Sequence, residues 1–143
     1  MALILIADDD ELVVDLVRDA LGARGHVVGA VDDGRQVVQI VQVKRPALVI
    51  LDCMMPEVSG IEALHQIRMS HSCYATPVLM LTGRRAEADE DIALRAGAND
   101  YLRKPFDPDQ LVSRVEALLA KAEADSARRP PAPPPSERRW GQR

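Results

Sequence analysis

Five residues with side chains suited to phosphoryl chemistry lie in four separate parts of the chain: Asp8 and Asp9, Asp52, Thr82 and Lys104. Clustered carboxylates repel one another unless a cation joins them, and their hard oxygen atoms suit Mg²⁺. A lysine ammonium is a point charge suited to phosphate oxygens, and a threonine hydroxyl can donate a hydrogen bond to the same group. Because an aspartate can act as a nucleophile toward phosphorus, these residue types predict Mg²⁺-dependent phosphorylation of Asp52.

Asp52 has the most informative position of the five, because it ends the aliphatic run 47–51. An apolar run of this length predicts a strand that is buried on both faces. An ionised carboxylate at its end is costly to bury unless a cation or hydrogen-bond donors compensate it. Asp52 is therefore the candidate centre of function.

Strand-like and helix-like patterns alternate along the chain, and each connection between strands contains a helix. This order favours parallel strands, right-handed crossovers and helices on both faces. We expect an α/β fold with a doubly wound, flavodoxin-like, five-stranded parallel sheet in the strand order 2-1-3-4-5, which binds ligands beyond the carboxyl ends of its strands. The predicted strands are 3–7, 26–31, 47–51, 78–82 and 100–102, and the predicted helices are 11–24, 34–43, 60–70, 86–96 and one that begins at 107.

The composition is typical of one domain with an aliphatic core, since 47% of the 143 residues are hydrophobic and only 3% are aromatic. No apolar run approaches the ~20 residues of a membrane span, and the N-terminus lacks the basic segment of a signal peptide. Cys53 and Cys73 lack the spacing of a disulfide framework or a zinc site. We therefore expect a cytoplasmic protein without membrane association.

The last part of the chain differs in composition from the rest. We expect a domain over residues 1–124, followed at 125–143 by a Pro- and Arg-rich flexible tail or linker. Residues 126–143 carry five Arg and one Glu, so the rest of a chain of net charge −4 carries −8. An acidic domain with a short basic tail predicts no direct nucleic-acid binding by this chain.

The polar residues at the predicted strand ends form motifs at fixed intervals: Asp8-Asp9, Asp52 followed by Pro56 and Gly60, Thr82, and Lys104-Pro105-Phe106. Thr82 lies 30 residues after Asp52, and Lys104 lies 52 residues after it. The combination resembles the receiver domain of bacterial two-component response regulators over residues 1 to about 124. Each motif alone is weak evidence, whereas their conjunction is specific.

The resemblance implies a phosphorylation-dependent signalling switch. Asp52 would accept a phosphoryl group from the phosphohistidine of a sensor histidine kinase. Asp9, Asp52 and the backbone carbonyl of Met54 would bind Mg²⁺ directly, whereas Asp8 would act mainly through water. The domain would catalyse only its own phosphorylation and dephosphorylation, so it is not expected to be an enzyme in the ordinary sense.

The resemblance also implies how the signal would spread. Lys104 would contact the phosphoryl group, and its peptide bond to Pro105 would be cis. Thr82 and Tyr101 match the family's switch pair: Thr82 would turn toward the phosphate and Tyr101 would rotate inward. The face made of the fourth helix, fifth strand and fifth helix would be remodelled by a population shift.

Two finer features follow from the same resemblance. Met54 and Arg84 occupy positions where variation among family members is associated with the dephosphorylation rate, so they are candidates for setting the signal's lifetime. The stretch 97–119, with Asp100 and Arg114, resembles receivers of winged-helix transcription regulators, which form homodimers through the remodelled face. The sequence leaves open a natural single-domain regulator or a receiver cut off in its linker.

Three other functions compete with this interpretation. A phosphatase of the haloacid-dehalogenase type needs a second Asp two residues after the nucleophile, where this chain has Met54. A dinucleotide-binding domain needs a Gly-rich loop after its first strand, where this chain has residues 8–10, all Asp. A degenerate receiver would lack part of the acidic pocket, Thr82 or Lys104, and none of these is missing.

Overall fold

The computed structural model describes residues 1–55, 57–83 and 87–128. Strands and helices alternate along these residues, as the sequence predicts, although several boundaries differ by one or a few residues. The strands are β1 (Leu3–Ala7), β2 (Val27–Val31), β3 (Leu48–Asp52), β4 (Val78–Thr82) and β5 (Asp100–Arg103), and the helices are α1 (Glu11–Gly22), α2 (Val37–Lys44), α3 (Gly60–Met69), α4 (Glu87–Ala96) and α5 (Pro108–Arg128).

All five strands are parallel and form one sheet in the order β2-β1-β3-β4-β5, which confirms the predicted fold class and strand order. Asp52 pairs in register with Leu81, and Thr82 pairs with Arg103. The carboxyl ends of β3, β4 and β5 therefore meet at one edge of the sheet. This edge is where a doubly wound sheet places its ligands.

The core consists of two aliphatic clusters, one on each face of the sheet. Every residue of β3 and β4 is buried, because successive side chains of a strand point to opposite faces and both faces are covered by helices. This explains the unbroken apolar runs in the sequence. Val49, Leu51 and Met80 belong to one cluster, and Ile50 and Leu79 belong to the other.

The last helix continues further than the change in composition suggests. It runs to Arg128, four residues beyond the proposed domain boundary at 124. Residues 121–128 contain Ala, Lys, Glu and Arg, which have good helix propensity, and Pro130 follows closely. The division into 1–124 and 125–143 stays a prediction, and residues from 129 onward lie outside the described residues.

Among the residues that the structure describes, no helix is both long and apolar enough to cross a bilayer.

Candidate functional site

The ends of β3, β4 and β5 are fixed to one another by backbone hydrogen bonds. The Cys53 N–H donates to the Leu81 carbonyl (N···O 3.0 Å), and the Lys104 N–H donates to the Thr82 carbonyl (2.7 Å). Asp52, Thr82 and Lys104 are therefore held at neighbouring positions along the edge of the sheet. A rigid backbone of this kind positions side chains for chemistry more closely than a loop does.

Helix α3 begins directly against the phosphoacceptor candidate. A Cβ atom added to Gly60 would lie 2.0 Å from the backbone oxygen of Asp52, which is far inside van der Waals contact. The Gly60 N–H also donates to the Cys53 carbonyl (3.1 Å). Only glycine permits this close approach, which explains why Gly60 accompanies Asp52 in the sequence.

Three carboxylates lie together at this edge. Asp8 and Asp52 are only 2% and 7% exposed, whereas Asp9 is exposed. One oxygen atom from each of the three residues lies within 4.8 Å of the others. Two buried oxygen donors and one exposed oxygen donor at this range suit a hard divalent cation that keeps several of its waters.

Lys104 supplies positive charge to the same cluster. Its Nζ donates a 2.8 Å hydrogen bond to Asp8 Oδ2 and lies 3.4 Å from Asp52 Oδ1. Burial disfavours the charged ammonium, but the hydrogen bond that it donates to Asp8 and the charges of Asp52 and Asp8 outweigh that effect and raise the pKa of Lys104. The ammonium therefore stays charged and partly neutralises the carboxylates.

The carboxyl group of Asp52 titrates closer to neutrality than an ordinary aspartate. Burial and the nearby charge of Asp8 raise its pKa to about 6, although Lys104 and a hydrogen bond from the Met54 N–H (3.2 Å) act in the opposite direction. Both causes of the increase disfavour a second negative charge in the cluster. An added cation would favour the ionised, nucleophilic form.

Thr82 and Tyr101 lie on the neighbouring strands β4 and β5. Thr82 is fully buried, and its Oγ1 has no hydrogen-bond partner among the described residues. Leaving a buried hydroxyl unpaired costs about 1–3 kcal/mol. Tyr101 is half-buried, pairs in register with Met80, and packs against the core cluster that contains Val49 and Leu51.

The remaining predicted residues have different outcomes. Met54 is 75% exposed, so its side chain lies in solvent near Asp52. The peptide bond between Lys104 and Pro105 is cis. Arg84 and Pro56 lie outside the described residues.

The structure also contains features that sequence patterns did not reveal. Leu12 belongs to the apolar stripe of α1, yet it is 79% exposed and borders a groove of about 410 Å³ that Pro105 and Phe106 also line. Glu90 of α4 is buried and forms an ion pair with Arg103 of β5. These two charged residues lie 13 positions apart in different elements, so no local pattern links them.

A five-stranded parallel sheet in this order, with acidic residues and a lysine at its strand ends, defines a receiver-type α/β domain. The sequence model of the response regulator receiver domain matches residues 4–116, and the chain belongs to this family. The resemblance seen in the sequence motifs is thereby confirmed.

Curated relatives include transcriptional regulators. The chain is 37% identical over 120 residues to the alkaline phosphatase synthesis transcriptional regulatory protein PhoP of Bacillus subtilis, covering 84% of this chain and 49% of the relative. It is 39% identical over 119 residues to the transcriptional regulatory protein CpxR of Escherichia coli K12, covering 83% and 50% respectively. The chain thus spans about half the length of these relatives.

Solved structures show the same fold. The receiver domain of NtrX from Brucella abortus superposes with a TM-score of 0.77 at 30% identity, covering 82% of this chain and 98% of that one. The receiver domain of the sensor histidine kinase PA1611 from Pseudomonas aeruginosa has a TM-score of 0.77 at 28% identity, covering 83% and 98%. That receiver was solved with a magnesium ion coordinated in its active site cleft.

Proposed function

We propose that this chain is a phosphorylation-dependent switch of a two-component system, in which Asp52 accepts a phosphoryl group from the phosphohistidine of a sensor histidine kinase. The observation that carries the proposal is the placement of Asp52. It ends a buried strand, shares a site with two further carboxylates, and lies 3.4 Å from the Lys104 ammonium. A cytoplasmic location of the protein is part of the same proposal.

In the proposed transfer, an ionised oxygen of Asp52 attacks phosphorus and forms a P–O bond while the P–N bond of the phosphohistidine breaks. The electron pair of that bond returns to the imidazole, which takes up a proton. Asp9, Asp52 and the carbonyl of Met54 are the proposed direct ligands of Mg²⁺, with Asp8 acting mainly through water, and the ion would neutralise charge on the phosphoryl oxygens when it is bound. Attack of water on phosphorus then breaks the P–O bond to Asp52, which releases inorganic phosphate and restores the carboxylate.

Lys104 and Thr82 would then take new partners. The Lys104 ammonium is hydrogen-bonded to Asp8 in this structure and is close enough to Asp52 to contact a phosphoryl group there. The Thr82 hydroxyl, which has no hydrogen-bond partner in the part of the chain that the structure describes, would gain a phosphoryl oxygen as acceptor. Movement of the Thr82 side chain would leave space for Tyr101 to rotate inward, and this rotation would change the α4–β5–α5 face.

This face has properties of an interaction surface. Ile92 and Leu94 of α4 are large apolar residues that are about half exposed. Arg114 of α5 forms an ion pair with Asp100 of β5 (2.9 Å). We include in the proposal a phosphorylation-dependent homodimer through α4–β5–α5, for which exposed apolar residues provide contact area.

The relatives leave the output open. They are named as transcriptional regulators and are about twice as long as the matched region, so control of transcription by the whole protein is a proposal. The expectation that this chain does not itself bind nucleic acid stays a prediction, and the relatives' names give it no support. A lifetime role for Met54 and Arg84 is likewise proposed; exposed Met54 is near enough to affect the access of water to the acyl phosphate.

The test is direct. Incubation with Mg²⁺ and acetyl phosphate should add the mass of one phosphoryl group to the wild type, and Asp52→Asn should prevent this. Asp19→Asn is the matched control, because Asp19 is an exposed aspartate on α1, away from the strand ends. Unmodified wild type, or equal modification of the Asp52→Asn variant, would contradict the proposal.

A further inference from the structure

Arg68, near the C-terminal end of α3, joins three parts of the chain through one side chain. Its guanidinium donates to the carbonyls of Gly97 (2.9 Å), Tyr74 (2.9 Å) and Thr76 (2.7 Å), and to Asn99 Oδ1 (2.8 Å). All four acceptors are uncharged. The five N–H donors of arginine lie in a fixed fork and can serve all four acceptors, whereas the ammonium of lysine has only three donors.

The α4–β5 turn, residues 97–99, receives two of these four bonds, and the segment before β4 receives the other two. Gly97 has a φ of +110°, a conformation that favours glycine, and the Ala98 N–H closes the helix by donating to the Ala93 carbonyl (2.9 Å). A Cβ added to Gly97 would lie 3.1 Å from Arg68 Cγ and Nε. The Arg68 side chain is therefore packed directly against the turn.

The same turn is attached to the start of β4. The Asn99 N–H donates to the Val78 carbonyl (2.9 Å), and Asn99 Oδ1 accepts from the Val78 N–H (2.8 Å) as well as from Arg68. Val78 and Thr82 are the two ends of β4, so about 13 Å of strand separates this turn from the phosphoacceptor edge. The C-terminal end of α4 is thus fixed far from the site of phosphorylation.

We propose that Arg68 holds the C-terminal end of α4 as a pivot, so that phosphorylation of Asp52 tilts α4 about the α4–β5 turn instead of translating it. The inference rests on the proposed function, because it concerns how the switch face is remodelled. Arg68 is a positioning residue in this account, since it does not lie at the site. A tilt displaces the first half of α4, including Glu90 and its ion pair with Arg103, and leaves residues 97–99 in place.

The test measures backbone amide shifts on addition of Mg²⁺ and beryllium fluoride to the full chain. Glu90 lies about 10 Å from Gly97 along the helix and Ala96 about 1.5 Å, so a tilt moves the two by very different amounts. In the wild type, the shifts at residues 96–99 should be several-fold smaller than those at 90–92. Equal shifts at both ends of α4 would overturn the pivot but leave the proposed function standing, whereas no response at all would overturn both.

Variants of Arg68 test its part in this behaviour. In Arg68→Gln the amides of residues 97–99 should exchange with solvent about tenfold faster, and beryllium fluoride should then shift both ends of α4 by similar amounts. Arg18→Gln, which removes an arginine of α1, should keep the wild-type pattern. A purely structural role would lower stability and preserve the gradient of shifts, and that result would overturn the proposal. Should Arg68→Gln fail to fold, Asn99→Ala removes the shared acceptor without altering α3 and must also abolish the gradient.

Discussion

Lys104 donates a 2.8 Å hydrogen bond to Asp8, which joins the end of β5 to the end of β1 across the acidic site. The carboxylate of Asp8 is buried, so it depends on this ammonium and on the Asp10 N–H (2.9 Å) for compensation of its charge. The pair therefore compensates the charge of the buried carboxylate, and in the proposed switch it would hold the Lys104 ammonium where a phosphoryl group on Asp52 could reach it.

Replacing Lys104 by Met should destabilise the protein by about 1–3 kcal/mol in buffer without divalent ions, because Asp8 would remain buried without its cation. Urea unfolding at pH 7.5 measures the effect, with Lys121→Met as the control on the exposed side of α5. Addition of Mg²⁺ should restore part of the lost stability if the carboxylates hold the ion. Equal stability of the two variants would show that the Lys104–Asp8 bond contributes nothing.

Asp52 should give the protein a distinctive dependence of stability on pH. Its pKa is about 6 in the folded protein, against 3.8 for an ordinary aspartate, so the folded state binds more protons between these two pH values. Stability should therefore fall as the pH rises from about 4 to about 6. At pH 7.5, Asp52→Asn should be more stable than the wild type by about 1–2 kcal/mol.

The comparison is made by urea unfolding at several pH values in the presence of a chelator. The advantage of Asp52→Asn should shrink as the pH falls from about 6 to about 4, the range in which the folded wild type binds more protons than the unfolded chain. Asp19→Asn, an exposed substitution, should follow the wild type at every pH. A variant that is less stable than the wild type at pH 7.5 would mean that Asp52 is stabilised, not strained, as an anion.

Gly60 should be intolerant of any side chain. The Cβ of Gly60→Ala would meet the backbone oxygen of Asp52 at 2.0 Å, so α3 or the end of β3 must move. We expect a loss of about 1–3 kcal/mol, as for other overpacked sites, together with slower phosphorylation. Gly22→Ala is the matched control, because a Cβ there meets nothing within 4 Å. Similar unfolding midpoints for the two variants would refute the steric argument.

Asp9 should contribute to metal binding but little to folding. Its side chain is exposed, so Asp9→Ala should change the free energy of unfolding by no more than about 0.5 kcal/mol without metal. Amide shifts induced by Mg²⁺ in the wild type should be absent or need far higher concentrations in the variant. An unchanged Mg²⁺ affinity would exclude Asp9 as a ligand.

The sequence predicted the fold because its signals are local and agree with one another. The run before Asp52 has the length of a strand and no polar interruption, and Gly25, Gly97 and Pro77 lie next to predicted boundaries. The collection of the acidic residues at one site followed from parallel strand ends, which all lie at one edge of a sheet.

What the sequence did not reveal depends on contacts between distant elements. Glu90 is charged and lies on a helix with a weak apolar pattern, so its burial against Arg103 has no local signature. Arg68 looks like an ordinary charged residue at the end of α3, and only the folded chain brings Gly97 and Asn99 to it. Leu12 shows the opposite error, because its place in the apolar stripe of α1 suggests burial and the structure leaves it exposed. A helical stripe shows which face of a helix is apolar, but not how much of that face a neighbouring element covers.

Thr82 offers a test that separates signalling from stability. Its hydroxyl is fully buried and has no partner among the described residues, so in the unphosphorylated state it contributes a desolvation cost and no hydrogen bond. Thr82→Val has nearly the same shape, and we expect it to be as stable as the wild type or more stable by about 1 kcal/mol. The control is Thr76→Val, which lies at the opposite end of the sheet before β4.

After addition of Mg²⁺ and beryllium fluoride, amide shifts near Asp52 should persist in Thr82→Val, whereas those at Tyr101 should be lost. Wild-type shifts at Tyr101 in this variant would show that the hydroxyl does not transmit the signal, because only the hydrogen bond to the phosphoryl oxygen has been removed.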